Sequence, residues 1–364
     1  MSSRKGKKII GLMSGTSLDG LDIVCVTLGE EGGKYFYRIE KAETLEYDEY
    51  WKNELANCHE YSGKNLIDLH KKYGRFCGEK VKAFIQKNNL KIDLIGSHGH
   101  TVFHEPNNHF NFQLGCGIEI FAQTGIQTIS DFRSLDIALG GQGAPLVPIG
   151  DKLLFSEFDA CINLGGFANI SFDDEKGNRI AFDICPVNFI INALAKNLGF
   201  EYDKDGAIAA KNTVDEILLK TLNQLDYYQK AAPKSLAREW IEKNILEKIN
   251  SRKDFENLIS TFTHHAAQQI SDVLNHQVKK GKVLFTGGGT YNKFLIKLIK
   301  SKVKKEIQIE IPDNNLINFK EALVFAFLAY LRINNKENIL KEVTGAKSNS
   351  ISGSIDGWMR IKSS

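Results

Sequence analysis

The chain has 364 residues, 42% hydrophobic and 25% charged, with a formal net charge of +3. This is an ordinary globular composition of a length that suits about two domains. Its near-neutral balance points away from nucleic-acid and membrane surfaces, and the longest apolar run, residues 322–331, is too short to span a bilayer.

The basic cluster Arg4, Lys5, Lys7 and Lys8 reads as a solvated lead-in, and the apolar run after it is too short for a signal peptide. Residues 9–28 then read as strand, turn, strand. Ile9, Ile10, Leu12 and Met13 form one apolar run, and residues 23–28 form a second, rich in β-branched side chains. Between them stand Ser14, Gly15, Thr16, Ser17, Asp19, Gly20 and Asp22. A hairpin needs one or two residues of positive φ, not two glycines, three hydroxyls and two carboxylates. Such a turn suits phosphate oxygens at its N–H groups and hydroxyls, and Mg²⁺ at its carboxylates. An ornate surface turn is the plainer alternative.

Lys34–Glu46 fits a third antiparallel strand, and residues 49–88 carry helical periodicity. Residues 93–96 read as a short strand running into Ser97-His98-Gly99-His100-Thr101. A polar, glycine-bearing exit from a buried strand is where α/β proteins place functional groups. His98, His100, His104 and His109 lie close together, but without a local Cys or Glu partner they read as hydrogen-bonding groups for a polar substrate rather than zinc ligands. A short strand at 112–114, the helix Gly117–Thr124 and a strand at 126–130 follow, ending in Asp131-Phe132-Arg133. Arg133 fits a bidentate clamp on a carboxylate or phosphate, or an ion pair with Asp131 or Asp136. Gly140-Gly141-Gln142-Gly143-Ala144-Pro145 is neither a Rossmann fingerprint nor a P-loop, and reads as a link between domains.

The opening layout then returns: strand Ala160–Leu164, turn Gly165-Gly166-Phe167, and a strand at 168–172, which points to an internal duplication of fold. A third strand, 180–183, ends in Asp183, with an apolar helix at 189–198 after it. Asp183 reads as a general base at a strand end, or as a helix cap or turn residue. Residues 203–245 are polar and irregular. A long helix at 255–278 leads to a strand at 282–285, then Gly287, Gly288 and Gly289, then a helix at 292–303. Strand, glycine run, helix start is a nucleotide-compatible context. A strand at 307–311 follows, and Glu321 sits where the first turn of the helix at 322–331 is expected, suited to its dipole. The six cysteines, at 25, 58, 77, 116, 161 and 185, form no CxxC pair, and with no export signal they point to a reducing cytoplasm.

Taken in order, GLMSGTSLDGLD (residues 11–22), SHGHT (97–101) with HEP (104–106), TGI (124–126) with SDFR (130–133), GGQGAPLVP (140–148), FDICPVN (182–188), TGGGTYN (286–292) and FKEALVFAFLA (319–329) resemble the anhydro-N-acetylmuramic acid kinases. The resemblance runs from Gly11 to Ala329 and lies in the ordered set rather than in any one motif. That family belongs to the actin-like superfamily of sugar kinases, heat-shock ATPases and actins. It implies an α/β protein of two actin-like ATPase domains, with mixed β-sheets flanked by helices around a central nucleotide and substrate cleft. The expected domains are residues 1–137 with a returning tail of about 340–364, and residues 138–339.

The resemblance further implies ATP and Mg²⁺ as cofactors and an anhydro amino sugar as substrate. The sugar is opened by water and phosphorylated in peptidoglycan recycling. Gly15, Thr16, Ser17, Leu18, Asp19, Gly20, Leu21 and Asp22 would hold phosphates, with Asp19 and Asp22 on the metal. Gly287, Gly288 and Gly289 would face the nucleoside. Thr101, Arg133 and Glu321 would line the sugar site, and Asp183 would take the proton of the attacking water. A cytoplasmic homodimer without nucleic-acid or membrane partners completes the expectation. Departures from the family pattern are Ile184, Cys185 and Val187 beside the base, His100 in place of an amide, and Lys234-Ser235-Leu236-Ala237-Arg238-Glu239 in place of KSTGRE. They leave two alternatives: another sugar kinase of the superfamily, in which Asp183 deprotonates a sugar hydroxyl, and a non-catalytic sensor of ATP or muropeptides.

Overall fold

The computed structural model describes residues 6–15 and 18–358. Thr16 and Ser17 of the expected phosphate turn lie outside them. Twelve strands are formed among the described residues. They are β1 (Lys7–Ser14), β2 (Gly20–Glu31), β3 (Lys34–Glu46), β4 (Leu94–Glu105), β5 (Phe110–Leu114), β6 (Thr128–Ser130), β7 (Ala160–Leu164), β8 (Phe167–Asp173), β9 (Arg179–Pro186), β10 (Gly281–Thr286), β11 (Ile307–Glu310) and β12 (Ser354–Asp356).

They build two sheets, ordered β12-β6-β4-β1-β2-β3, with β5 on β4, and β11-β10-β7-β8-β9. In the first, β1, β2 and β3 are antiparallel neighbours while β4 and β6 run parallel to β1. The second repeats this: β7, β8 and β9 are antiparallel, and β10 and β11 continue parallel from β7. The same order and directions in two sheets are the fold duplication that the repeated hairpin predicts. Helices connect the parallel strands, as a parallel crossover requires. The result is the actin-like arrangement, twice.

The chain divides into two compact units, Met1–Leu154 with Phe319–Ser364, and Phe155–Asn318. These limits differ from the expected 137/138 and 339/340. Helix Pro148–Leu154 and the helix residues from Phe319 belong to the first unit, and two contacts explain it. Asp151 and Lys320, both buried, form an ion pair of 2.7 Å. The helix also lies flush on β1 and β4: a Cβ on Gly11 would collide with the Ala322 carbonyl, and one on Gly96 with that of Phe325.

The first core gathers Ile10, Leu12, Leu21, Ile23 and Cys25 from the hairpin with Leu69, Tyr73, Cys77, Val81 and Phe84 from helix Gly63–Lys87. The second packs Ile162, Leu164, Ile170 and Phe285 against Phe262, Ala266 and Ile270 of helix Phe255–Gln277. Full burial of each of the Leu, Ile, Val and Phe side chains contributes about 1.5–3 kcal/mol.

Several local expectations are corrected. Ser97–Thr101 is not a strand exit, because β4 continues to Glu105 and carries all five residues in the sheet. Gly20, Leu21 and Asp22 open β2 rather than belonging to the turn, with Asp22 opposite Met13. Asp183 lies within β9, not at its end. Glu321 is in the interior of a helix that starts at Asn314, so the dipole explanation does not apply. The Gly140–Pro145 stretch is no link between domains. It lies in the first unit, where the buried Asp136 accepts from Gly143 N (2.8 Å) and Thr344 Oγ1 (2.7 Å). Residues 203–245, read as irregular, form several short helices.

Candidate active site

In the first unit the end of β1 is held by buried side chains. The His100 ring bonds the Leu55 carbonyl, so its other nitrogen, Nδ1, accepts from Ser14 Oγ at 3.0 Å. Tyr47 donates its hydroxyl to Ser14 Oγ (2.8 Å) and takes that of Tyr73 (2.6 Å). All four side chains are buried, and burial pushes His100 down to about 4, so the ring is neutral. His100, where the family pattern has an amide, thus serves as donor and acceptor at once.

Above this chain, Asp22 Oδ1 accepts from Thr44 Oγ1 at 2.5 Å. Burial, reinforced by the charges of Glu321 and Asp19 against the Thr44 bond, pushes Asp22 up to about 6. Glu321 is likewise raised by burial, against the opposing charges of Lys320 and Arg133. Arg133 is pushed down to about 10 by its own burial, against Glu321. The guanidinium is held in place: Nη1 donates to Gly143 O (2.6 Å), while Nε and Nη2 reach His98 Nε2 (3.2 and 2.8 Å). His98 donates Nδ1–H to the Gly99 carbonyl (2.9 Å), which leaves Nε2 as acceptor. Arg133 therefore pairs with neither Asp131 nor Asp136. The two central histidines are committed to protein partners, and among the described residues no three His, Cys, Asp or Glu side chains form a metal site. Thr101 is half-buried on β4, opposite Gln113. Asp19, Asp22, Arg133 and Glu321 thus share one electrostatic neighbourhood.

In the second unit the three glycines differ. Gly287 has φ +85°, and a Cβ there would lie 2.6 Å from Asn163 Oδ1 and 2.7 Å from Leu164 O. A Cβ on Gly289 would sit 2.8 Å from Leu164 Cβ, whereas at Gly288 it would meet nothing. Two glycines therefore serve the packing of β10 beside β7, and Gly288 faces open space. It borders a pocket of about 280 Å³ lined also by Asn188, Asn192, Tyr202, Asp205 and Tyr291. The glycines lead into a 3₁₀ turn, after which Asn292 caps helix Lys293–Lys302 through Leu295 N (2.9 Å).

Asp183 sits beside a bulge, since the register passes from Asn169↔Asp183 to Ala168↔Cys185 and leaves Ile184 unpaired. A bulge re-aims neighbouring side chains. Its Oδ2 accepts from Leu236 N at 2.9 Å, and Oδ1 takes no hydrogen bond from the described residues. Burial raises the carboxyl above its ordinary range, with the Leu236 N–H opposing. Ile184, Cys185 and Val187, the departures beside it, are fully buried in the second core. Tyr47, Tyr73 and Tyr227 escaped the sequence reading, and the Leu236 contact with Asp183 was not foreseen. The contacts of Tyr47, Tyr227 and Leu236 with predicted residues span 33 to 53 positions, and no local pattern marks them.

The duplicated sheet order, with a polar turn after the first strand of the first sheet and glycine turns in the second, defines an actin-like α/β protein of the sugar-kinase and ATPase class. A family model, "Anhydro-N-acetylmuramic acid kinase", matches residues 7–357. Anhydro-N-acetylmuramic acid kinases of Francisella tularensis subsp. novicida and Clostridioides difficile are 34% and 35% identical, over 96% and 95% of this chain and 98% and 97% of theirs. The chain belongs to the anhydro-N-acetylmuramic acid kinase family. Among solved structures, the activator of 2-hydroxyisocaproyl-CoA dehydratase from Clostridium difficile with bound ADPNP has a TM-score of 0.44 at 14% identity, over 90% of this chain and 96% of that one. The fold assignment rests on strand order, not on that loose likeness.

Proposed function

We propose that this protein is an ATP-dependent kinase that opens 1,6-anhydro-N-acetylmuramic acid with water and phosphorylates O6. The products are N-acetylmuramic acid 6-phosphate and ADP, as peptidoglycan recycling and amino-sugar catabolism require. The bicyclic sugar has no free 6-hydroxyl until its C1–O6 bond breaks. Water attacks C1 and loses a proton, O6 leaves C1, and O6 takes the γ-phosphoryl group while ADP departs. Water is a weak nucleophile, so a base must accept its proton. The observation that carries the reading is Asp183: one oxygen fixed by a backbone N–H, the other uncommitted, and a basicity raised by burial. The burial of Ile184, Cys185 and Val187 in the core favours an active enzyme over a sensor, because those substitutions change packing rather than the free carboxylate oxygen.

Gly15–Asp22 would hold the ATP phosphates and Gly288, flanked by Gly287 and Gly289, the nucleoside. Asp19 and Asp22 suit Mg²⁺. Asp22's carboxylate is poorly compensated by its own surroundings, and Mg²⁺ takes one or two carboxylates, keeping water and phosphate oxygens for the rest. Bound there, the ion would neutralise phosphate charge. Thr101 and Glu321 would contact the sugar, and Arg133, immobilised by His98 and Gly143, would pair with its lactyl carboxylate. Arg133→Ala is then expected to raise the sugar KM about tenfold or more with the ATP KM unchanged; an unaltered sugar KM removes that pairing.

ADP release with a panel of anhydro sugars and free hexoses tests the substrate class. Turnover confined to the anhydro sugar supports the reading, and turnover of an ordinary hexose replaces it with a plain sugar kinase. The six cysteines are free and buried, which suits a reducing cytoplasm, and no helix among the described residues is long and apolar enough to cross a membrane. A homodimer is part of the same proposal, checked by light scattering in solution.

A further inference from the structure

Residues 226–236 are the stretch that the functional reading leaves unused, and the fold brings them onto Asp183. β9 is the edge of the second sheet, so backbone groups on its outer side have no strand partner. The stretch supplies them at this point. Tyr227 donates its hydroxyl to Asp183 O (2.7 Å), Asp183 N donates to Lys234 O (3.2 Å), and Leu236 N donates to Asp183 Oδ2 (2.9 Å). One residue thus accepts two bonds from, and donates one to, a segment more than forty positions away, one of them on the carboxylate itself.

The segment is tied at both faces. Lys234 Nζ donates to Tyr227 O (3.2 Å) and lies over the Tyr227 ring at 4.8 Å and the Phe182 ring at 5.5 Å. The adjacent Tyr228 turns inward, donating to His265 Nε2 (2.8 Å), while His265 Nδ1 bonds Asn223 Oδ1 (2.7 Å), which also accepts from Gln269 Nε2 (3.0 Å). His265 is fully buried on helix Phe255–Gln277. Adjacent tyrosines therefore serve opposite faces, one toward Asp183 and one toward the core.

We propose that residues 226–236 form a strap that orients the Asp183 carboxylate, with Tyr227 the positioning residue toward the base and Tyr228 the anchor to the core. This rests on the reading of Asp183 as the base. The strap fixes Oδ2 and so determines where the uncommitted Oδ1 points. Orientation of a base toward its water is the kind of positioning whose loss lowers turnover without touching nucleotide binding. Among the described residues, the titratable groups facing Asp183 are Tyr227 and Cys185, with Lys234 on the strap.

The test is steady-state kinetics of Tyr227→Phe with ATP and 1,6-anhydro-N-acetylmuramic acid across pH, with Asp183→Asn alongside. Tyr227→Phe is expected to lower kcat about tenfold with the ATP KM unchanged. The acid limb of kcat should move to higher pH, because a weakened Leu236 N–H bond no longer favours the ionised carboxylate. A variant that merely lost folded enzyme would show a lower amplitude with the limb in place, which overturns the proposal. Tyr228→Phe, more remote, is expected to give the same changes at smaller size, and serves if Tyr227→Phe fails to fold. If Asp183→Asn keeps its turnover, the base assignment falls and the strap with it. If Asp183→Asn is inactive while Tyr227→Phe keeps the parent's kcat and limb, the strap alone is overturned.

Discussion

The first hairpin and its counterpart in the second sheet share a position in the topology but not a chemistry. The sequence after β1 is polar, and Ser14 at the end of that strand belongs to a buried line of hydroxyls and an imidazole, Tyr73 to Tyr47 to Ser14 to His100. The turn after β7 is only Gly165-Gly166. Backbone bonds close it: Gly165 N to Phe167 O (3.0 Å), Val187 N to Gly166 O (2.9 Å) and Phe189 N to Gly166 O (3.1 Å). Duplication has repeated the sheet while each unit placed its polar groups independently. In the first unit charges cluster beside the hairpin. In the second the Asp183 carboxylate lies on the edge strand, bonded by residues from the 226–236 stretch.

If that contrast is right, the two carboxylates should fail in different ways. Asp183→Asn should lower kcat about 10²–10⁴-fold, the contribution of a general base. A mutant within tenfold of the parent would put the base elsewhere.

Asp22→Asn should act on the fold and on the nucleotide. Asp22 binds its proton more tightly folded, at about 6, than its ordinary 3.8, so ionisation opposes folding. That cost is absent below pH about 4, grows through the window, and is complete above about 6. A rise of about two units at 1.36 kcal/mol each gives about 3 kcal/mol. Asn keeps the oxygen that Thr44 donates to. The substitution should therefore stabilise the ligand-free protein by up to about 3 kcal/mol at pH 7, and by well under about 1 kcal/mol at pH 4, while weakening Mg²⁺–ATP binding. Chemical denaturation at the two pH values checks it; equal effects at both would contradict the raised pKa of Asp22.

Tyr47→Phe is the mildest probe. It removes the central hydroxyl of the buried line and should cost about 1–2 kcal/mol. The ATP KM should rise while that of the sugar stays. A rise in the sugar KM instead would mean that the line does not serve the phosphate turn.

The elements with strong local signals were legible in the sequence. Lys34–Glu46 and Gly117–Thr124 fall at their expected limits, and the repeated hairpin foretold the duplicated sheet order. What failed did so where tertiary partners override local appearance. Ser97–Thr101 looks like a loop because of its glycine and histidines, yet His98 and His100 are buried in a strand with Arg133 and Ser14 as partners. Glu321 looked like a helix start because residues 314–320 are mostly polar, although they form the first turns. Asp183 could be picked out, but not the Tyr227 and Leu236 contacts that hold it, which are 44 and 53 positions away. The three glycines read as one ligand platform, whereas only Gly288 has room beside it.

The most direct test of the central claim is mass spectrometry of a reaction with Mg²⁺, ATP and 1,6-anhydro-N-acetylmuramic acid in ¹⁸O-labelled water, against N-acetylmuramic acid 6-phosphate held in the same water for the same time. Water attack at C1 with phosphoryl transfer to O6 predicts a product carrying one labelled oxygen at C1, above the exchange control, and none in its phosphate. A phosphorylated product with no label beyond the control, or label in the phosphate, would contradict it.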